Sequence, residues 1–367
     1  MELTTKDWKE FRIGDLFNYE RGKESAPNQN PEGECKLISE TQDNNGFVRF
    51  VEPTRVIEGH CITVSVNFAS TVFYQDENFC ASVNIIVLRP KVEMTEKQLL
   101  FIASILCKKH KTYSYTDKVS KDLLMNEFIL LPSKNDEPDW DFMEEFIKGI
   151  EEKYIENVDE YNQENIDKAL SVTGLTMADL DDDLKVEPAD RYEEFKVGDL
   201  FESIGKTALI NNFTKQDFAD SNYTIPALSS VTTNNSMGFY VKESEHNVIN
   251  DICLSVTANG INTGTLFLQT RLFAIAQDAY VIRIKNQKAH NVGVYLFLKV
   301  LIEKVTRQKY NYENKAGWNK VKNEKIKLPA IDEDTPDFDY MEKAIYIYIL
   351  KRSLSLGKWI TKKKLEL

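Results

Sequence analysis

The nearest this chain comes to a catalytic motif is Pro138, Asp139, Glu151 and Lys153, a Pro-Asp followed by Glu-x-Lys in the order some nucleases use. The spacing favours another reading. Asp139 stands where a helix N-cap belongs, and Glu151 and Lys153 fall farther along the same helical pattern. A matching passage near the C-terminus has Glu342-Lys343-Ala344 and no equivalent Glu-x-Lys. No G-x-x-x-x-G-K-[ST] loop and no G-x-G-x-x-G after a strand is written. Asn-Pro-Pro-aromatic and Asp-Pro-Pro-Tyr, which shape an amino-methyltransferase pocket, are missing, as is any local Ser/His/Asp or Cys/His frame. His60, His110, His246 and His290 are scattered, and five cysteines without a C-x-x-C pair suit reduced core residues better than disulfides or a zinc site. The expectation is a chain with no catalytic residues and no metal or cofactor of its own.

Charge points to a different chemistry. The net charge is −12, yet residues 136 to 191 hold 19 acidic and 5 basic side chains, so the rest of the chain is close to neutral. Lys299 to Lys327 holds nine Lys or Arg against three Glu, and KKHKTYSYTDKVSK (108 to 121) is basic too. Such runs permit polyanion binding, although a solvated face has the same composition. At 367 residues with 42% hydrophobic content the chain is long enough for two globular domains. No apolar run reaches bilayer length, so a soluble cytoplasmic protein is expected.

The elements that would carry these side chains are written twice. WKEFRIGDLF (8 to 17) recurs as YEEFKVGDLF (192 to 201), LISETQDNNGFVRFV (37 to 51) as ALSSVTTNNSMGFYV (227 to 241), and VIEGHCITVSVN (56 to 67) as VINDICLSVTAN (248 to 259). STVFYQDENF matches GTLFLQTRLF, YSYTDK (113 to 118) matches YNYENK (310 to 315), and each copy closes on Leu-Pro, Pro-Asp and an aromatic-rich helix start. One order repeated at a near-constant offset means two domains of one fold. FRIGDLF reads as a strand running through a Gly-Asp turn into a core, several short Val/Ile/Phe-rich strands follow, and each copy has one helix, 95 to 110 and 291 to 308.

Asp139 and Asp337 then cap two further helices. Trp140 opens the first, whose Met143, Ile147, Ile150, Tyr154, Val158 and Tyr161 form an apolar stripe, and Phe338 opens the second, with Met341, Ile345 and Tyr348. These stripes are expected to pack the two helices together, the first running from about Asp139 to Ser171 and the second ending near Gly357. The domains are then 1–136, a spacer helix and acidic linker 137–190, a second domain 191–335, and a second helix with its tail 336–367.

Two mostly-β domains, each opening with aromatic-x-x-Phe-x-aliphatic-Gly-Asp-Leu-Phe and closing with Leu-Pro before a long helix, resemble the DNA specificity subunit of type I restriction-modification systems. The related BcgI-like type IIB recognition subunit is similar too, and Val172-Thr-Gly-Leu175 leans toward that wider group. The resemblance spans nearly the whole chain. It implies an α+β architecture of two homologous target-recognition domains with pseudo-two-fold repeat, helices packed as a spacer, a bipartite double-stranded DNA target, and methyltransferase subunits docked on the helices. S-adenosylmethionine would bind those partners, and a restriction subunit could also join. The other readings are a scaffold or decoy that holds the methyltransferase without reading DNA, and an enzyme with degenerate motifs.

Phosphate contacts require Lys and Arg, whereas base reading requires polar side chains on loops that enter a groove. Lys118, Lys121, Lys315, Lys320 and Lys322 are the phosphate candidates. Tyr113, Tyr115, Tyr310, Tyr312 and Trp318 interleave with them, as contacts or as a packed aromatic ledge. Asn67 to Ser70, and Asn259 to Gly264 with Asn262 and Thr263, are base-reading candidates or plain hairpin turns.

Overall fold

The computed structural model describes residues 8–67, 71–110, 119–181, 183–205, 214–243, 248–276 and 278–367. Two compact units emerge, Met1–Asn157 with Lys363–Leu367, and Val158–Lys362.

In the first unit a four-stranded antiparallel sheet runs in the order Phe17–Arg21, Ile85–Pro90, Cys61–Ser65, Val72–Gln75. Its central strand is apolar without alternation because both faces are covered. Ile86 and Leu88 join a core with Leu99, Ile102 and Leu106 of the helix Glu96–His110, while Ile85 and Val87 face a second cluster with Ile38 and Phe79. A smaller sheet pairs Cys35–Ile38 antiparallel to Phe47–Val51 and parallel to Cys80–Ala81. Trp8–Arg12 pairs with Phe128–Lys134, joining the start of the unit to its close.

The second unit repeats this frame, adding a short strand Val248–Ile249 beside Phe273–Ile275 where the first unit has an Ile57–Phe79 bridge. Its larger sheet is Phe201–Ile204, Ala279–Ile284, Cys253–Thr257, Leu266–Gln269, and its smaller one sets Ile225–Leu228 beside Met237–Val241 and, in parallel, Phe273–Ile275. Tyr192–Lys196 pairs with Lys325–Pro329. Even the register irregularity is shared, falling at Leu37/Ile38 in one unit and Ala227/Leu228 in the other.

The repeated Gly-Asp is a single helical turn, Ile13–Leu16 and Val197–Leu200, between two strands. The glycine is required by proximity: a Cβ on Gly14 would stand 2.5 Å from the Met125 carbonyl oxygen, and one on Gly198 2.7 Å from that of Lys322. Neither distance leaves room for a methyl group.

The first long helix spans Trp140–Thr173 and the second Phe338–Glu366. Asp139 caps the one by accepting from the Phe142 N–H at 3.1 Å, and Asp337 the other by accepting from Tyr340 at 2.9 Å. The second helix does not stop near Gly357. It runs nine residues farther, because Gly357 lies at the seam with the first helix, 3.6 Å from the Asn162 carboxamide as measured from an added Cβ. Within the second unit Ile166 and Ala169 pack on Tyr346 and Leu350, and Asn162 Nδ2 donates to the Ser353 carbonyl at 3.2 Å. The expected stripe is therefore rotated. Ile155, Asn162, Ile166 and Ala169 are buried on the first helix, whereas Ile150, Tyr154 and Tyr161 are 50–70% exposed. Tyr348 is likewise 61% exposed on the second helix, whose buried positions are Met341, Ala344, Tyr346, Leu350, Ser353 and Ile360.

Beyond the first helix Gly174 takes φ +74, closing it with a left-handed residue. The acidic linker is not a bare tether. Its Leu175, Leu180 and Leu184 pack on the helix pair, and a Thr176–Asp179 capping box holds one turn between them. Among the described residues no helix is long and apolar enough to cross a membrane, and no cluster of His, Cys, Asp and Glu could hold a metal ion. Among the described residues no disulfide forms between the five cysteines.

Candidate nucleic-acid interface

In the second copy the two candidate loops meet. In the second unit the loop after Cys253–Thr257 turns through Gly260 at φ +77 and Gly264 at φ +83. Gly264 sits against Thr306, where a Cβ would come within 3.0 Å, and the Thr306 hydroxyl donates to the Gly264 carbonyl at 2.6 Å. Thr263 is buried, and its hydroxyl accepts the Ala316 N–H at 3.0 Å from the basic loop. In the first unit the described flanks of the corresponding loops are joined, the Val119 N–H donating to the Val66 carbonyl at 3.2 Å.

Several candidates build this junction and so cannot also face a ligand. Thr263 is one. Tyr310 is another: it is 8% exposed, and its hydroxyl donates to Glu324 Oε1 at 2.7 Å. Burial, with the Glu324 carboxylate beside it, pushes that hydroxyl above its ordinary range. The first unit has the same clasp, with His110 Nε2 2.9 Å from Glu127 Oε2 and Lys109 3.4 Å from the other oxygen, as Lys309 pairs with Glu324. Both glutamates stand five residues before the closing proline, Glu127 before Pro132 and Glu324 before Pro329, a regular spacing by which the sequence signals the clasp.

Asn67 and Asn259 orient the loops. Asn67 donates to Glu40 Oε1 at 2.6 Å, with Asn84 on the other oxygen at 2.7 Å, and Asn259 donates to Asp278 at 3.0 Å. Trp318 is half-buried, its ring 6.3 Å from that of Tyr280. Ser70, Tyr113, Tyr115 and Lys118 lie outside the described residues.

What remains is a polar, basic surface. Asn262 is half-buried with its carboxamide unbonded among the described residues, and the neighbouring Ile261 is 84% exposed. Tyr312 is 66% exposed, and Lys315, Lys320 and Lys322 are exposed. The backbone beneath them is fixed by Asn311, whose Oδ1 accepts from the N–H groups of Glu313 and Asn314. Asn314 in turn accepts from Lys320 Nζ at 2.8 Å. In the first unit Lys121 opens a short helix capped by Ser120, its ammonium 5.3 Å from the centre of the Tyr19 ring. Lysines on a braced loop beside a free carboxamide suit phosphates and base edges, not bond making.

The long-helix candidates separate into two groups. Trp140, Met143 and Ile147 pack on the core of the first unit, and Phe338 and Met341 on that of the second, so these residues seat each helix on its own sheet domain. Ile150, Tyr154 and Tyr348 face solvent, and Ile345 is half-buried.

The type I restriction modification DNA specificity domain matches residues 5–160 and again 189–355. The chain is 26% identical over 338 residues to the specificity subunit S.BcgI of the type II restriction enzyme BgcI from Heyndrickxia coagulans, covering 91% of this chain and 92% of that one. Among solved structures, the S subunit of a type I restriction-modification system from M. genitalium shares the fold, with a TM-score of 0.55 at 15% identity over 100% of this chain and 95% of that one. With the domain matched twice, once on each repeated sheet unit, the chain belongs to the type I restriction modification DNA specificity domain family.

Proposed function

We propose that the chain is the DNA-reading specificity subunit of a restriction-modification complex, each sheet domain reading one half of a bipartite duplex site. The observation that supports this most is the duplication of one frame, with the same order in the larger sheet and the same register irregularity in the smaller one. Lys121 in the first domain and Lys315, Lys320 and Lys322 in the second contact phosphates, while Asn262 faces the bases. The solvent-facing Ile150, Tyr154 and Tyr348 dock the methyltransferase subunits, since large apolar side chains exposed on a helix mark an interaction surface. The chain itself carries out no chemistry. S-adenosylmethionine belongs to the partner.

Methylome sequencing of a host expressing the chain with its neighbouring methyltransferase tests this. A split motif methylated on both halves is the expected result. An assembled complex that shows no preference among DNA sequences overturns the reading.

A further inference from the structure

Away from the loops, each unit has an open cleft at the other end of its central hairpin, where Gln75 pairs with Cys61 and Gln269 with Cys253. The clefts measure about 440 Å³ and about 420 Å³. They are built alike. Ile38 in one answers Leu228 in the other, Asn45 answers Asn235, and Gln75 answers Gln269. Asn45 and Asn235 hold left-handed backbone at φ 56 and φ 54, a conformation that non-glycine residues adopt only when held there. In both copies the holding is done by the buried glutamine, which bonds the asparagine carbonyl at 3.0 and 3.1 Å. A strained device kept in both copies fixes the floor of the cleft.

The rim is not kept. In the first unit it carries Lys36, Phe50, Asp76 and Glu77, and at the same places the second has Pro226, Tyr240, Thr270 and Arg271. Asp76 is exposed and Glu77, although paired with Lys36, is 62% exposed, so the first rim carries carboxylate oxygens beside the Phe50 ring, which is 49% exposed. Arg271 is exposed and forms no ion pair among the described residues. The first rim has carboxylate acceptors that the second lacks, and the second has a guanidinium donor that the first lacks.

Two readers of one duplex need a common frame, because duplex geometry is the same at both half-sites, and different edges, because the bases differ. We infer that these clefts are base-reading subsites, Arg271 contacting a guanine in one half-site and Asp76 with Glu77 accepting from an exocyclic amino group of cytosine or adenine in the other. The arginine fork matches guanine O6 and N7, and a carboxylate matches the amino donor. This rests on the proposed reading of bipartite DNA and assigns the specificity-determining residues within it.

The test uses the whole complex, chain plus methyltransferase, in a host free of other DNA methylation, read by methylome sequencing. Arg271→Ala should relax one position of one half-site, raising methylation of non-guanine sites by roughly ten- to a hundredfold there and leaving the other half-site unchanged. Arg271→Lys keeps the charge but not the two-pronged fork, so it should relax the same position while overall affinity persists. Asp76→Asn with Glu77→Gln should relax the opposite half-site. If the wild type writes a split motif and all three variants write it unaltered, the inference falls. It also falls if Arg271→Ala weakens methylation uniformly across sequences, the signature of a backbone contact. A wild-type complex that writes no motif overturns the proposed function itself, which separates that failure from this one.

Discussion

Gln75 and Asn45 hold each other by their amides. Gln75 Nε2 donates to the Asn45 carbonyl at 3.0 Å, and Asn45 Nδ2 lies 2.8 Å from the Tyr74 carbonyl and 3.5 Å from Gln75 Oε1. Gln269 and Asn235 repeat the arrangement at 3.1, 2.9 and 3.2 Å, and each glutamine also donates to a hydroxyl on the adjacent strand, Thr63 or Ser255, at 3.0 Å. Replacing Gln269 by Leu would leave the Asn235 carbonyl and the buried Ser255 hydroxyl without this donor. A buried orphan costs about 1–3 kcal/mol, so a lower urea midpoint is expected for Gln269→Leu, and an unchanged midpoint would contradict the clasp.

Charge reversal of Lys315, Lys320 and Lys322 to Glu should abolish DNA binding while the methyltransferase complex stays intact. In the single reversals, where binding persists, the slope of log K against log salt should become shallower by about 0.9 for each phosphate that is no longer neutralised. Unchanged DNA affinity, measured alongside gel filtration of the complex, would favour a scaffold that ignores DNA.

The exposed pair Ile150 and Tyr154 makes the complementary prediction. Ile150→Glu with Tyr154→Glu should weaken capture of the methyltransferase and leave the fold intact, since both side chains already face water. Co-purification read against circular dichroism checks this, and full capture by a folded variant would remove this face from the interface.

Asn162 sits 3% exposed in the helix seam with its Oδ1 unpartnered among the described residues. A buried polar group without a partner costs stability, so Asn162→Leu is expected to raise the melting temperature or leave it unchanged. Leu350→Ala, in the same seam, should lower stability by about 2–5 kcal/mol. A melting temperature that drops in Asn162→Leu would mean that the side chain is a net stabiliser.

Glu324 gives a pH signature. Burial works to raise its carboxyl, yet bonds from Lys309 and Tyr310 prevail and hold it below the usual carboxylate range. A depressed folded-state value adds stability above the unfolded value, near ~4.3, and that stability is lost as pH falls through the folded value. The stability gap between wild type and Glu324→Gln should therefore be widest near neutral pH and close in acid below about pH 4. A gap that does not change with pH would rule out the ionised clasp.

The repeat is legible in the sequence because duplicated strands keep both their apolar pattern and their order. The N-caps at Asp139 and Asp337 are legible because capping depends on residues two or three positions apart. The seam between the long helices is not. Ile150, Tyr154 and Tyr161 are spaced as a buried face would be, and only the position of the partner helix decides that Asn162, Ile166 and Ala169 turn inward instead. Gly357 suggests a stop for the same reason, since helix propensity carries no information about a neighbour that favours a missing side chain. Tyr310 stays open in the sequence between a contact and a packed ledge, because its bond to Glu324 closes across fourteen positions and a turn and the fold alone brings the two together.

In each domain the first strand lies against the last, Trp8 opposite Pro132 and Tyr192 opposite Pro329. Chain arrives and departs at neighbouring points, so everything between them hangs from the helical scaffold as a single closed excursion. Such an excursion can be exchanged for a longer, shorter or unrelated one without moving its two points of attachment. New sequence preferences could then be grafted one side at a time, while the other side keeps its own.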